Sequence, residues 1–248
     1  MTKGLTAYQL KIIAIIAMTI NHLAHIVVWL PIDGGVMNAM LTPMNIIGKL
    51  TIPIMCFFVA EGYYHTHDLK KYLLRMFAFA AISQIPFYLF ENNLPASFGE
   101  FIGDFAYFNV IYSLAMGLLA LTIWKSDKLH IALKVPIIAA LVYLTKNSDW
   151  RIFAVLWIIA FAEFRGDFKK QAAAFIALAA IRVFVYYIYP TIPAINLKTV
   201  ISQSCVVLAL IPLYFYNGQR GRKTKYGFYI FYPTHLLVLS IIKFIIMG

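Results

Sequence analysis

Apolar stretches of roughly membrane-spanning length recur along the whole chain. A helix needs about 20 mostly apolar residues to cross the hydrocarbon core of a bilayer. Nine stretches approach this pattern, and because the fifth and sixth are short enough to be tilted, partial or re-entrant, the expected range is eight to ten. The stretches are residues 8–30, 45–63, 72–90, 107–124, 131–145, 152–164, 171–189, 197–216 and 227–247.

The composition places the chain among integral membrane proteins. Hydrophobic residues make up 62% of it and charged residues 12%, and the mean hydropathy is +0.79. Soluble domains carry about a quarter charged residues. Since no hydrophilic run is long enough to form a separate domain, we expect one all-α, polytopic membrane domain over residues 1–248. Lys11, Asn21 and His22 interrupt the first stretch, which argues against a cleaved signal peptide.

Basic residues fall in alternate junctions between the stretches. Positive residues mark the cytoplasmic side of a membrane protein. We therefore expect a cytoplasmic N-terminus and an outward-facing C-terminus. The basic junctions carry Lys70, Lys71 and Arg75; Lys125, Lys128 and Lys134; Arg165, Lys169 and Lys170; and Arg220, Arg222, Lys223 and Lys225. The other junctions carry Asp33; Glu91, Glu100 and Asp104; Lys146, Asp149 and Arg151; and Lys198.

The formal net charge of +11 follows from the same placement. The basic residues are spread among short loops and form no docking element for DNA or RNA. We therefore interpret the charge as a topology signal that also attracts anionic lipid of the bilayer, and we expect no nucleic-acid partner.

Lys11 and His22 are the most informative polar pair. Eleven helical steps make almost three turns, so both side chains share a face, about 17 Å apart along the axis. Ionisable residues inside a membrane helix are costly and are functional candidates by default. We expect the chemistry of the protein at this pair.

Two further ionisable groups are expected at the depth of His22. His235 lies about 14 Å and Arg182 about 17 Å from the inner end of its own stretch. Two histidines and one arginine at the same depth inside a helical bundle imply a polar, hydrated cavity. Asn21 points about 100° away from His22, so we expect it to bond a neighbouring helix.

Several other polar residues admit more than one interpretation. Lys49, Glu61 and Asn109 add polar atoms inside the second and fourth stretches, as supporting groups. His65, His67 and Asp68 resemble metal ligands, but a solvated inner loop explains them better, and we expect no metal. Lys71 and Arg75 are i,i+4 neighbours that either mark the topology or bind phosphate. Cys56 and Cys205 are expected to be core residues.

Six segments carry a resemblance to the TraX family, which is named for a protein that acetylates conjugative pilin. In chain order they are Leu5–Ala14 with Met18–His22; Ile47–Gly62; His65–His67 with Lys71–Arg75; Ser83–Phe87; Asn109 with Leu114 and Gly117; and Tyr232–Leu236. The resemblance covers most of the chain and is weakest over residues 125–200, where Asp149 stands near an expected acidic position. The family commonly has Asp-His and Gly-Arg where this chain has Asn21-His22 and Gly48-Lys49.

The resemblance implies a membrane acetyltransferase in the bacterial cytoplasmic membrane. Proteins of this kind are similar to the wider group of transmembrane acyltransferases, and acyltransferase-3 proteins share a basic residue, ten intervening residues and a His in their first helix. The implied donor is cytoplasmic acetyl-CoA, with Lys11, Lys71 and Arg75 at its phosphates. The implied acceptor is an amine or hydroxyl of an exported peptide, a pilin N-terminus or a glycan. His22 would act as base, and His235 or Arg182 would polarise the thioester carbonyl.

Three other classes of protein remain open at this point. A transporter or permease component also places charges at the midplane, although the chain has no inverted repeat. A b-type haem protein would use His22 and His235 as axial ligands. A structural scaffold would explain the aromatic content but not the alignment of Lys11 with His22. The choice between N- and O-acylation is also left open, as is the choice between direct transfer and an acyl-His intermediate. The oligomeric state is open too.

Overall fold

The computed structural model describes residues 4–92, 98–189, 196–224 and 226–247, and within those ranges the protein is built from helices. A π-helical turn, Phe184–Ile188, follows α9, and a 3-10 turn, Cys205–Ala209, separates α10 from α11. The helices are α1 (Ala7–Val27), α2 (Gly34–Gly48), α3 (Thr51–His65), α4 (Leu69–Glu91), α5 (Phe98–Phe105), α6 (Val110–Trp124), α7 (Ile131–Leu144), α8 (Arg151–Glu163), α9 (Phe168–Val183), α10 (Leu197–Ser204), α11 (Leu210–Tyr214) and α12 (Gly227–Met247).

Among the described residues, six helical runs are long and apolar enough to cross a membrane, and α6 and α7 are shorter apolar helices. The runs are Ala7–Val27, Gly34–His65, Leu69–Glu91, Phe168–Ile188, Leu197–Tyr214 and Gly227–Met247. The predicted all-α, polytopic membrane fold is therefore confirmed. The number of crossings and the side of the N-terminus stay predictions.

Side-chain caps set where these helices begin. The hydroxyl of Thr6 accepts from the N–H of Gln9, whose side chain accepts in turn from the N–H of Thr6, which makes a capping box before α1. Asp68 and Asp167 cap α4 and α9 more simply, each through a carboxylate that accepts from the N–H three residues later. A hydrogen bond from the backbone N–H three residues later lowers the pKa of both carboxyl groups. The first N–H groups of a helix need such partners because no residue precedes them in the helix.

The second apolar run differs from its prediction in two ways. It begins at Gly34 rather than at residue 45, because the carboxylate of Asp33 accepts from the N–H groups of the next turn. It is also interrupted at Lys49–Leu50, where the N–H groups bond carbonyls three residues back. Pro53 explains the break, since a proline has no N–H for the carbonyl of residue 49 and its ring clashes with that carbonyl.

The junction between residues 91 and 104 also contains a helix, α5, where only a loop was expected. Residues 93–97 of that junction, and Lys225 of the last basic junction, lie outside the described residues.

The chain divides into two compact units, each assembled from separated segments. Unit 1 comprises residues 1–55, 166–228 and 241–248. In it α1 packs along α2, and α10 contacts both α2 and α9. A Cβ on Gly48 would come within 2.4 Å of Asn21 Cβ, so α2 approaches α1 this closely only because residue 48 has no side chain.

Unit 2 comprises residues 56–165 and 229–240, and its core lies between α6 and its neighbours α4, α7 and α8. Trp157, Phe153 and Phe161 of α8 are among its largest fully buried side chains. A Cβ on Gly117 would come within 2.4 Å of Ile158 Cδ1, which again marks a close helix approach. Dense packing of this kind is the main source of stability between helices in lipid.

Candidate active site

Lys11 and His22 lie on one uninterrupted helix, α1. The ring of His22 stands edge-on to that of His25, with 6.3 Å between centroids. Lys49, at the break between α2 and α3, and Lys243 of α12 lie within electrostatic range of His25. Unit 1 thus gathers two histidines and two lysines from three parts of the chain.

Lys243 was not among the site residues predicted from the sequence, although its position in an apolar helix could have singled it out. The residue is only 4% exposed, and it is the one ionisable residue of the apolar run Leu236–Met247. A lysine this deep in an apolar helix meets the same criterion that singled out His22.

The backbone break of α2–α3 lies against the same part of α1. Asn21, the neighbour of His22 in the chain, donates to Asn45 Oδ1 at 2.9 Å, which confirms its predicted bond to another helix. Beyond the break, the hydroxyl of Thr51 donates to the carbonyl of Ala14 at 3.2 Å. Irregular backbone at membrane depth is tolerated only where protein or a water-filled cavity surrounds it. The break therefore lies against α1, close to the chain neighbour of His22.

A basic loop is anchored at the other end of α1. The N–H groups of Ala7 and Tyr8 donate to the carbonyls of Gln219 and Arg220 at 2.8 and 3.1 Å. Lys11 lies within electrostatic range of Arg220, and its ammonium stands 5.6 Å from the ring centroid of Phe228. Sequence analysis gave Arg220 only a topological role, and its position beside Lys11 depends on this loop pairing.

Lys71 and Arg75, the other predicted phosphate ligands, belong to unit 2. Lys71 is largely exposed and pairs with the carboxylate of Asp68 at 3.0 Å. The guanidinium of Arg75 lies 5.6 Å from the ring centroid of Tyr72. Their role in binding CoA stays a prediction.

Arg182 is buried in unit 1, where it donates to Tyr187 Oη at 3.3 Å and to Gln203 Oε1 at 3.2 Å. His235 belongs to unit 2, and its ring stacks on Phe231 with 4.9 Å between centroids. Nδ1 of His235 lies 2.9 Å from the carbonyl of Phe231. Because a carbonyl can only accept, Nδ1 is the donor in this contact. The predicted common depth of His22, His235 and Arg182 stays a prediction.

The remaining predicted polar residues have structural roles in unit 2. Asn109 caps α6 and donates to the carbonyl of Ala80 at 2.7 Å. The backbone carbonyl of Asp149 accepts from the hydroxyl of Ser113 at 2.7 Å. Glu61 forms two hydrogen bonds with Arg165, at 2.7 and 3.2 Å.

His65, the last residue of α3, and His67 gather no metal-ligand set in the described parts of the chain. His65 lies 3.3 Å from Glu61, so it belongs to the cluster that Glu61 forms with Arg165. Cys56 is fully buried in unit 2 and contacts the carbonyl of Ala154, whereas Cys205 is partly exposed.

The fold and the buried polar groups define a polytopic α-helical membrane protein with ionisable residues inside its helices. The family model described as TraX protein matches residues 6–243. The chain belongs to the TraX family, as its resemblance predicted. It is also 34% identical over 247 residues to the probable fimbrial assembly protein FimC, serogroup H1, of Dichelobacter nodosus, a match that covers 96% of each chain. No solved structure matches the chain.

Proposed function

We propose that this protein is a membrane acyltransferase that moves an acetyl group from cytoplasmic acetyl-CoA to an amine or hydroxyl of an exported acceptor. The observation that carries the proposal is the arrangement of α1. One helix holds Lys11 beside a basic loop and His22 about 17 Å further along, next to the broken helix. The pantetheine arm of CoA has a comparable reach, so the nucleotide stays at the surface while the thioester meets His22.

Charge supports unit 1 as the part that binds CoA. Its segments carry twelve lysines and arginines but only two acidic residues, whereas unit 2 carries nine and eight. Phosphate groups are attracted to such an excess of positive charge. Lys11 and Arg220 contribute to this positive charge near the start of α1, and Arg222 and Lys223 follow Arg220 in its loop.

His22 acts as the base in this proposal. Neutral His22 takes the proton of the acceptor amine or hydroxyl while the acceptor attacks the thioester carbonyl. The C–S bond then breaks, CoA leaves as a thiolate that takes up a proton, and the acceptor keeps the acetyl group. A transient acyl-His22 would give the same products in two steps. The fimbrial name of the Dichelobacter relative favours a pilin or fimbrial subunit as the acceptor.

The test measures acetyl transfer from labelled acetyl-CoA to a pilin-type N-terminal peptide by the full chain in proteoliposomes. His22→Ala should lower the rate by about two to four orders of magnitude, which is the contribution of a positioned base, and should leave acetyl-CoA binding intact. His25→Ala, on the same helix, is the matched control and should change the rate little.

Binding of acetyl-CoA is measured separately by calorimetry. Lys11→Gln should weaken it and flatten its salt dependence, because ions screen the attraction between lysine and phosphate. A His22→Ala protein that transfers at the wild-type rate while His235→Ala is inactive would move the base to α12. Wild-type protein that neither binds acetyl-CoA nor transfers acetyl groups would refute the proposal.

A transporter is the second candidate, and the break at Lys49–Leu50 is the observation that favours it. Transporters bind their substrates at discontinuous helices near the midplane. Substrate uptake by proteoliposomes that continues without acetyl-CoA, and is abolished by closing the break with Pro53→Ala, would favour this class over acyl transfer.

A further inference from the structure

Helices α6, α7 and α8 of unit 2 are each shorter than the hydrocarbon core of an ordinary bilayer. We infer that the exposed face of α7 binds lipid acyl chains in a locally thinned bilayer, whose hydrocarbon core is about 20 Å thick there instead of about 30 Å. The inference uses the predicted crossings of these three helices and is independent of acyl transfer. The partner of this surface is therefore lipid with short or disordered acyl chains.

The lengths of the helices are the first observation. Helices α6, α7 and α8 contain 15, 14 and 13 residues, which corresponds to about 22, 21 and 20 Å. Helix α4 of the same unit contains 23 residues and is about 34 Å long. A tilt cannot make up the difference, because it shortens the distance that a helix covers along the membrane normal. Unit 2 thus contains a helix of full length and three consecutive short ones.

Side-chain bonds hold the predicted inner ends of the three short helices together. Glu163, the last residue of α8, accepts from Trp124 Nε1 at 2.9 Å and from Lys125 Nζ at 2.8 Å, at the end of α6. Lys134, in the first turn of α7, donates to the carbonyl of Trp124 at 2.9 Å. These bonds keep the inner ends of α6, α7 and α8 at one level.

Backbone bonds hold the opposite ends of the same helices together. Phe108, just before α6, donates its N–H to the carbonyl of Asn147 at 2.9 Å and accepts from the N–H of Asp149 at 2.8 Å. Asn147 and Asp149 belong to the loop between α7 and α8, residues 145–150. The three helices therefore form a slab about 20 Å thick, with a polar loop on each side.

The loops on the two sides of the slab limit the thickness of the hydrocarbon. Residues 125–130 and 145–150 are not helical, and each loop carries an exposed lysine, Lys128 or Lys146. Irregular backbone does not face lipid within the hydrocarbon core, because its N–H and C=O groups would lack hydrogen-bond partners there. Both loops therefore lie at the level of the headgroups or beyond, and the hydrocarbon between them is no thicker than the slab.

Helix α7 forms the lipid-facing side of the slab. None of the residues of α7, all of which the structure describes, is buried, and Ile138 and Leu141 pack on the core of the unit. Every residue between Lys134 and Tyr143 is apolar, and about 14 Å separates these two along the axis. Tyr143 is 62% exposed, and its hydroxyl bonds Lys146 Nζ at 2.6 Å. Exposed tyrosines beside lysines are typical of the headgroup level, so both ends of α7 have anchors for a thin core.

Thinning is an established response of a bilayer to a short apolar span. A span shorter than the surrounding hydrocarbon is matched by local thinning of the bilayer, by long polar side chains that reach the surface or by association with another protein. Long side chains cannot solve the mismatch here, because the loop backbone itself must stay hydrated. Association would cover the face of α7 but would leave the loops at the same separation. Thinned lipid is therefore the partner that the slab fits.

The experiment measures the depth of spin labels along α7. Single cysteines are introduced as Ile131→Cys and Leu144→Cys at its exposed ends and as Ile137→Cys near its middle, in a protein whose Cys56 and Cys205 are replaced by alanine. The full chain is placed in nanodiscs of phosphatidylcholine with eighteen-carbon chains. Collisions with oxygen and with a water-soluble nickel complex report the depth of each label. Nickel should reach the labels at both ends, whereas only oxygen should reach the label at position 137.

Helix α4 supplies the matched control in the same unit. Leu74→Cys and Ile85→Cys are at exposed positions about 16 Å apart, and each lies at least a turn inside an end of α4. Both labels should be shielded from nickel and accessible to oxygen, because α4 extends beyond them on either side. Every labelled variant should unfold at the wild-type temperature, since the substituted side chains are exposed.

Three results would overturn the inference. Shielding of Ile131→Cys or Leu144→Cys from nickel would show that the hydrocarbon beside α7 has its ordinary thickness. Access of nickel to Ile137→Cys as well would show that α7 lies at the membrane surface or lines an aqueous cavity. Shielding of Ile137→Cys from both oxygen and nickel would show that protein, such as a second copy of this chain, covers the face instead of lipid.

Discussion

Gly48 shows how one missing side chain positions the candidate catalytic helix. A methyl group at this position would meet Asn21 Cβ and Cγ at 2.4 and 2.5 Å, beside His22. Gly48→Ala should therefore separate α2 from α1 and lower the free energy of unfolding by about 1–3 kcal/mol, which is typical of overpacking. The same shift should lower acetyl transfer. Thermal unfolding in detergent and the transfer assay measure the two effects.

Gly34→Ala is the matched control for that substitution. It lies in the same helix, and no atom comes within 4 Å of a Cβ there. Alanine has the higher helix propensity, so this variant should be as stable as the wild type or slightly more stable. If both variants unfold alike, the close approach at Asn21 does not hold α2 in place.

At the scale of single residues, the sequence predicts which groups are unusual better than it predicts what they contact. Arg182 and His22 stand out because ionisable residues are rare in apolar helices. The partners of Arg182 depend on a π-helical turn and on a separate helix, and neither leaves a periodic signal in the sequence. The contacts of Asn109 and Asp149, which were predicted as supporting polar groups, were likewise not predicted: Asn109 caps a helix, and the backbone carbonyl of Asp149 accepts from Ser113.

Helix α3 is joined to the segment after α8 by an ion pair that closes part of unit 2. Glu61 is mostly buried and bonds Arg165 through both carboxylate oxygens. Arg165→Met leaves a buried carboxylate without its arginine, so the free energy of unfolding should fall by about 1–3 kcal/mol. Unfolding in a detergent titration measures the change.

Two variants separate the loss of the pair from the loss of a positive charge. Lys170→Met removes a largely exposed lysine from an ion pair with Asp167 and should not shift the unfolding midpoint measurably. The double variant Glu61→Met with Arg165→Met removes both charges together and should recover part of the lost stability. A double variant less stable than Arg165→Met alone would show that Glu61 stabilises the protein without Arg165.

At the scale of helices, hydropathy predicts where apolar segments lie but not where they break. Each of the nine predicted stretches overlaps a helix of the described residues. The break at Lys49–Leu50 was overlooked because a hydropathy average ignores the missing N–H of Pro53, which is a backbone effect. Helix α5 was overlooked because the sequence reading treated its junction as a loop between membrane stretches.

At the scale of the whole molecule, charge is divided between the two units more unevenly than along the chain. Unit 1 holds nearly all of the net positive charge of +11, because its segments contain only Asp33 and Asp167 as acidic residues. This division emerges only when distant segments are grouped by the fold. It concentrates the attraction for anions, which include the phosphates of the proposed CoA donor, in the unit that contains His22.

The direction of the proposed acyl transfer depends on the topology, which single cysteines can test. Asp104 and Lys223 are both exposed, and the positive-inside rule places the first outside and the second in the cytoplasm. Cysteine is introduced at either position in a protein whose Cys56 and Cys205 are replaced by alanine. In intact cells a membrane-impermeant maleimide should label Asp104→Cys and not Lys223→Cys, whereas permeabilised cells should label both. If only Lys223→Cys were labelled in intact cells, the protein would be inserted in the opposite orientation. Acetyl-CoA could then not reach Lys11 from the cytoplasm.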